Sequence, residues 1–144
     1  MVNAGAPSVG GIDVDGMGAY LDETPVAFAV LFGSHAKGTA DESSDVDVAI
    51  GFLDEMDSRE RFHARNRIDA VLQEYADGFV DVRDVDSFPA HVARAALRDG
   101  VLVAGDERLV ETRCEELARE LEATADERER ERREFIDRLA RGDT

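Results

Sequence analysis

Two aspartates, Asp45 and Asp47, stand two residues apart in Ser44-Asp45-Val46-Asp47-Val48-Ala49-Ile50-Gly51-Phe52, a stretch that alternates as a β-strand does. Strand side chains point to opposite faces in turn, so both carboxylates leave the sheet on one side, about 6 to 7 Å apart along the backbone. They can share a metal. Val46, Val48 and Ile50 take the other face, so the face bearing the aspartates is expected to lie outside the core. Adjacent acidic groups on a central strand repel each other, which makes a purely structural use without a cation unfavourable. Hard oxygen ligands suit magnesium or manganese better than zinc.

Just upstream, the apolar run Val26 to Phe32 enters Gly33-Ser34 and then a short helical stretch. Glycine allows the backbone to come close to a ligand, and the serine hydroxyl and N–H can donate to phosphate oxygens. Gly33, Gly38 and Thr39 nearly spell a P-loop, but no lysine follows the second glycine, Lys37 preceding it instead. The P-loop reading is rejected. Alone, Gly33-Ser34 would be an ordinary turn with a helix cap; joined to Asp45 and Asp47 in a strand–turn–helix context, it reads as the phosphate side of a nucleotide site.

Gly33-Ser34, ten intervening residues and Asp45-x-Asp47 resemble the signature of the DNA polymerase β-like nucleotidyltransferases. The surrounding words Leu-Phe-Gly-Ser-His-Ala-Lys-Gly and Ser-Asp-Val-Asp-Val-Ala-Ile are similar to the minimal nucleotidyltransferases (MNT), typically the antitoxins of HEPN/MNT toxin–antitoxin pairs. The resemblance spans roughly Val26 to Val103. It implies nucleotide contacts at Gly33, Ser34 and Ser44, two Mg2+ ions with Mn2+ as a substitute, ATP as substrate, and transfer of AMP to a tyrosine hydroxyl of a cognate HEPN ribonuclease toxin. Lys37 stands where many relatives have arginine.

The elements that must position these groups follow from periodicity. Val14, Met17 and Leu21 sit at helical spacing before Asp22-Glu23-Thr24-Pro25 breaks the pattern. A charged helix is expected over Ser58 to Tyr75, with an apolar stripe of Phe62, Ile68, Val71, Leu72 and Tyr75. Phe79 to Val85 reads as a third strand, where the family pattern implies a further acidic ligand. Asp81 is the best match and Asp84 the fallback; Asp81 shares a face with Arg83 and Val85, whereas Asp84 is expected at the strand end as a turn residue. A short helix from Phe88 to Leu97 and a strand over Val101 to Ala104 close the domain, with His63 and His91 read as surface residues.

From Asp106 the chain reads as one long charged helix. Val110, Cys114, Leu117 and Leu121 form a seam able to bury one side. Glu127 to Glu134 is nearly all charge, after which Phe135, Ile136 and Leu139 make an apolar spot, suited either to docking on another protein or to folding back on its own domain.

With 33 acidic against 17 basic residues the net charge is −16, which argues against a nucleic-acid-binding module and leaves metal-nucleotides and basic protein surfaces as partners. Lys37 is the sole lysine, a balance similar to that of cytosolic proteins from salt-accumulating halophiles. Cys114 stands alone, so no intramolecular disulfide can form. No run is long enough to span a bilayer and no signal peptide is visible, so a soluble cytoplasmic chain is expected.

The expected fold is α/β (α+β): a polymerase β-like nucleotidyltransferase palm with a short mixed β-sheet, flanking helices and a long C-terminal helix. Residues 1–11 are expected to be a disordered N-terminus, 12–104 the nucleotidyltransferase domain and 105–144 a helical arm. The expected activity is that of a protein adenylyltransferase antitoxin with Asp45, Asp47 and Asp81 as metal-binding catalytic residues, working in an oligomeric complex with its toxin. Two readings compete with it: an antitoxin with a vestigial site that masks its toxin, and an adenylyltransferase of small molecules such as aminoglycosides.

Overall fold

The computed structural model describes residues 11–37, 45–53 and 55–142, apart from the side chains of His35 and Lys37. Helix α1 (Val14–Leu21) leads into β1 (Val26–Phe32) and a single turn, α2 (Ser34–Lys37). Next come β2 (Val46–Phe52), α3 (Ser58–Leu72) and β3 (Val80–Asp84). Helix α4 (Ala90–Asp99), strand β4 (Val101–Gly105) and the 34-residue α5 (Glu107–Ala140) complete the chain. The expected mixed α/β layout is therefore present.

The sheet runs β3-β2-β1-β4. Strands β1 and β2 are antiparallel, as are β1 and β4, while β2 and β3 are parallel and are joined through α3. A parallel pair needs such a crossover, and it leaves α3 lying against β3. Helix starts are set by side chains: Asp13 caps α1, Asp106 caps α5, and Asp57 with Glu60 forms a reciprocal capping box on α3.

Both faces of the sheet carry buried core, one of them only over part of its length. On one, Leu31, Val46, Val48, Ile50, Val80 and Val82 pack with Met17 and Leu21 of α1 and Ile68 and Leu72 of α3. On the other, Phe28, Val30 and Ala49 pack with Ala93 and Leu97 of α4 and Val110 and Leu117 of α5. This corrects the expectation that the aspartate face lies outside the core: Ala49, two residues beyond Asp47, has no exposed surface. The reason is the small side chain at Ala49, which lets α4 and α5 close over that half of the face. Phe62 departs from the expected apolar stripe and is 57% exposed. At the far end of α5, Phe135, Ile136 and Leu139 stand about half exposed, so the helix does not fold back on its domain.

Strand β3 is an edge of the sheet, and α3 finishes it. The Gln73 side chain donates to Val80 O at 2.7 Å and accepts from Val80 N–H at 2.9 Å. Arg65 donates to Val82 O at 2.9 Å, and Asp69 accepts from Val82 N–H at 3.4 Å. Val80 and Val82 are fully buried, so these groups replace the ladder partners a further strand would have supplied. Beyond β3, Asp86 joins Arg61 of α3 (2.8 Å) and Arg113 of α5 in one ion cluster. Burial pushes the Asp86 carboxyl upward, but the hydrogen bond from Arg61 and the charge of Arg113 outweigh it and hold it below the ordinary range.

Gln73→Ala leaves a buried N–H and C=O of Val80 without these partners and is expected to destabilise the fold by about 1–3 kcal/mol. Urea unfolding checks this; a loss below about 0.5 kcal/mol would show that β3 does not depend on the Gln73 amide.

Candidate active site

The Gly33 turn and Asp47 meet at one end of the sheet. Gly33 has φ +79, a left-handed conformation that side chains resist, and an added Cβ would sit 2.6 Å from Asp47 Oδ2. Two independent constraints thus select glycine here. The backbone needs its freedom, and the Asp47 carboxylate occupies the space a side chain would fill.

Asp47 lies in the middle of three strands. Its register partner on β1 is Phe32, immediately before Gly33, and its partner on β3 is Asp81. Residues in register on neighbouring strands share a face, so the two carboxylates are placed side by side. Asp45 stands one residue ahead of β2 and is exposed. The hydrogen bond from Val46 N–H to Phe79 O, 2.8 Å, anchors the chain directly after it. Ser34 opens α2. Ser44, expected to contact nucleotide, falls outside the described residues. Asp84 takes a different part: its carboxylate caps the turn after β3 by accepting from Asp86 N–H at 2.9 Å, and Arg61 lies 3.6 Å away.

Sequence reasoning left Arg83 and Phe88 without a role. Arg83 Nε donates to Asp81 Oδ2 at 2.9 Å, and its guanidinium lies over the Phe88 ring, 5.9 Å from the centroid. Phe88 in turn meets Phe32 edge to face at 5.7 Å. Strand parity had already put Arg83 on the face of Asp81; what parity could not show was the aromatic platform, because Phe88 arrives from beyond the strand. Beside Gly33, a cavity of about 260 Å³ opens between Ala36 and α4, with His91 and Asp99 at its edge.

The donor set fits a divalent cation of the magnesium type. Asp47 and Asp81 offer hard carboxylate oxygens on one face, and the missing side chain at Gly33 makes room for the Asp47 carboxylate against the turn. No three His, Cys, Asp or Glu side chains converge among the described residues. The exposed Asp45 lies outside the strand ladder, and Arg83 holds an oxygen of Asp81.

The family described as "Polymerase beta, Nucleotidyltransferase" matches residues 18–109. The chain belongs to this nucleotidyltransferase family. No curated protein sequence matches it. Among solved structures it resembles a chain of a toxin–antitoxin crystallised with AMP-PNP, at 22% identity and TM-score 0.56, covering 85% of this chain and 94% of that one. It is similar also to a chain of an MntA–HpeT toxin–antitoxin variant carrying two Asp-to-Glu exchanges, at 18% identity and TM-score 0.54 over 85% and 93%. A Tyr-to-Ala variant of the same system gives 22% identity and TM-score 0.51 over 83% and 89%. At these identities the likeness is one of fold. The nucleotidyltransferase family match includes both Gly33 and Asp81, so every site residue named above lies inside it.

Gly33→Ala is expected to cost more stability than Gly142→Ala. Both positions have positive φ, but at Gly142 an added Cβ meets nothing within 4 Å. Chemical denaturation of the two variants measures the difference, for which about 1 kcal/mol or more is expected from displacing Asp47 on top of backbone strain. Equal losses would mean that contact with Asp47 is not what selects glycine.

Proposed function

We propose that this chain is a magnesium-dependent nucleotidyltransferase antitoxin that transfers AMP from ATP to a tyrosine hydroxyl of a cognate HEPN toxin and thereby disables it. The observation that carries this reading is the register pairing of Asp47 with Asp81 beside the Gly33 turn, within a polymerase β nucleotidyltransferase match. Fold similarity to antitoxin-complex chains over most of both lengths supports the partner class, as does a net charge of −16, which suits a basic RNA-cleaving protein. A cytoplasmic setting fits such a pair, and no described helix is long and apolar enough to cross a membrane.

In this reading Asp45, Asp47 and Asp81 hold the cations, Gly33 and Ser34 receive the triphosphate, and Ser44 adds a nucleotide contact. Helix α2 has only four residues and so little dipole to offer, which leaves the bare Gly33 backbone and the Ser34 hydroxyl as its phosphate contacts. Bound magnesium would supply charge neutralisation at the attacking and leaving oxygens. The acceptor oxygen forms a bond to the α-phosphorus as the bond to pyrophosphate breaks, and in this reading a carboxylate on the Asp47 face takes the hydroxyl proton. Pyrophosphate leaves with the electron pair.

Transfer of label from α-labelled ATP to the protein encoded beside this gene, in magnesium and high potassium chloride, tests the proposal. Wild type is expected to label its neighbour and Asp45→Asn/Asp47→Asn to lose at least about a hundredfold in rate. No labelling, together with toxin neutralisation that survives the double substitution, would leave an antitoxin that works by masking. Acceptor-dependent pyrophosphate release with a small molecule and no protein would favour the aminoglycoside-type enzyme.

A further inference from the structure

Asp81 is held by a cation that belongs to the protein. Its Oδ2 accepts from Arg83 Nε at 2.9 Å, with the Asp81 side chain 26% exposed and that of Arg83 57% exposed. The two residues are separated by one position on β3 and therefore share the face that also bears Asp47. The guanidinium is steadied from the other side by Phe88, itself set against Phe32 at the end of β1. Arg83 is thus backed by an aromatic ring and pointed at one carboxylate of an adjacent like-charged pair.

Two adjacent carboxylates repel, and a cation near either relieves that repulsion. Arg83 supplies one positive charge to the site through a directed hydrogen bond. A divalent ion ligated by Asp81 shares the carboxylate with this bond and meets the guanidinium's positive charge at close range, which opposes its binding. The planar guanidinium is weakly hydrated and can turn toward solvent or another anion, since more than half of its side-chain surface is already open.

We propose that Arg83 acts as an internal counter-cation at Asp81, competing with the divalent metal and lowering the affinity of the nucleotide-free protein for it. This rests on the reading of Asp81 as a metal ligand and assigns Arg83 a positioning role, because it acts through Asp81. The consequence is an inverted sign: removing a favourable contact strengthens metal binding. A purely structural role would weaken binding or leave it unchanged.

The test is Mn2+ affinity of the full chain without nucleotide, measured by electron paramagnetic resonance and calorimetry, with folding of each variant followed by circular dichroism. Arg83→Gln is expected to bind Mn2+ about three- to fivefold more tightly than wild type, the scale expected of a partly exposed ion pair. Arg83→Lys, which keeps the charge but loses the planar stack, is expected to fall between them and serves if the glutamine variant is poorly folded. In the double variant Arg83→Gln/Asp81→Asn the gain is expected to vanish. Unchanged or weaker binding in folded Arg83→Gln, with Asp81→Asn weakened, would overturn the competition while leaving Asp81 a ligand. Unchanged binding in Asp81→Asn would instead remove the ligand reading, and the proposal with it.

Discussion

The site depends on the register of β3 against β2. Asp47 and Asp81 come from segments more than thirty residues apart in sequence, and only the parallel pairing makes them neighbours. A slip of one residue would send Asp81 to the buried face and bring Val80 or Val82 out. Edge strands are prone to such slips because one side has no ladder. Here Gln73, Asp69 and Arg65 of the α3 region satisfy that side with side-chain groups, so the crossover that delivers β3 also secures it.

The second constraint is that the aspartate face is divided. Toward Ala49 and Phe28 it is covered by α4 and α5 and belongs to the core; toward Asp47 and Asp81 it opens beside the Gly33 turn. The boundary is marked by Phe32, Phe88 and Arg83, a step from apolar packing through aromatic contact to a charge. The Asp86 cluster ties α3 to α5 just past the end of β3. Polar chemistry can then sit against a dry core without burying an unpaired side-chain donor or acceptor among the described residues.

Much of this was legible in the residues. The bounds of α1 and β1 follow from apolar spacing that ends at Asp22-Glu23-Thr24-Pro25 and at Gly33, because turn residues punctuate the chain sharply there. Asp45 and Asp47 could be singled out from spacing and strand parity, whereas Asp81 was singled out because the family resemblance implies an acidic ligand on the third strand. Parity could also set Asp84 apart, and the structure places it as a cap at the strand end. What spacing cannot give is which element covers which face: the burial of Ala49 depends on α4 and α5, far along the chain. The exposed Phe62 was misplaced for a related reason, since a helix stripe has an expected width but no label saying where its partner stops. The Gln73 and Phe88 contacts were invisible because each joins a side chain to a strand through tertiary placement rather than local pattern.

The central claim is that the corner formed by Gly33, Asp47 and Asp81 is one cation and nucleotide centre. Anomalous diffraction from crystals grown with Mn2+ and a non-hydrolysable ATP analogue tests it most directly. The account predicts a manganese peak within ligand distance, about 2.0–2.3 Å, of carboxylate oxygens from both Asp47 and Asp81, with the triphosphate against Gly33 and Ser34. A peak ligated elsewhere, or an analogue bound away from the Gly33 turn, would contradict it.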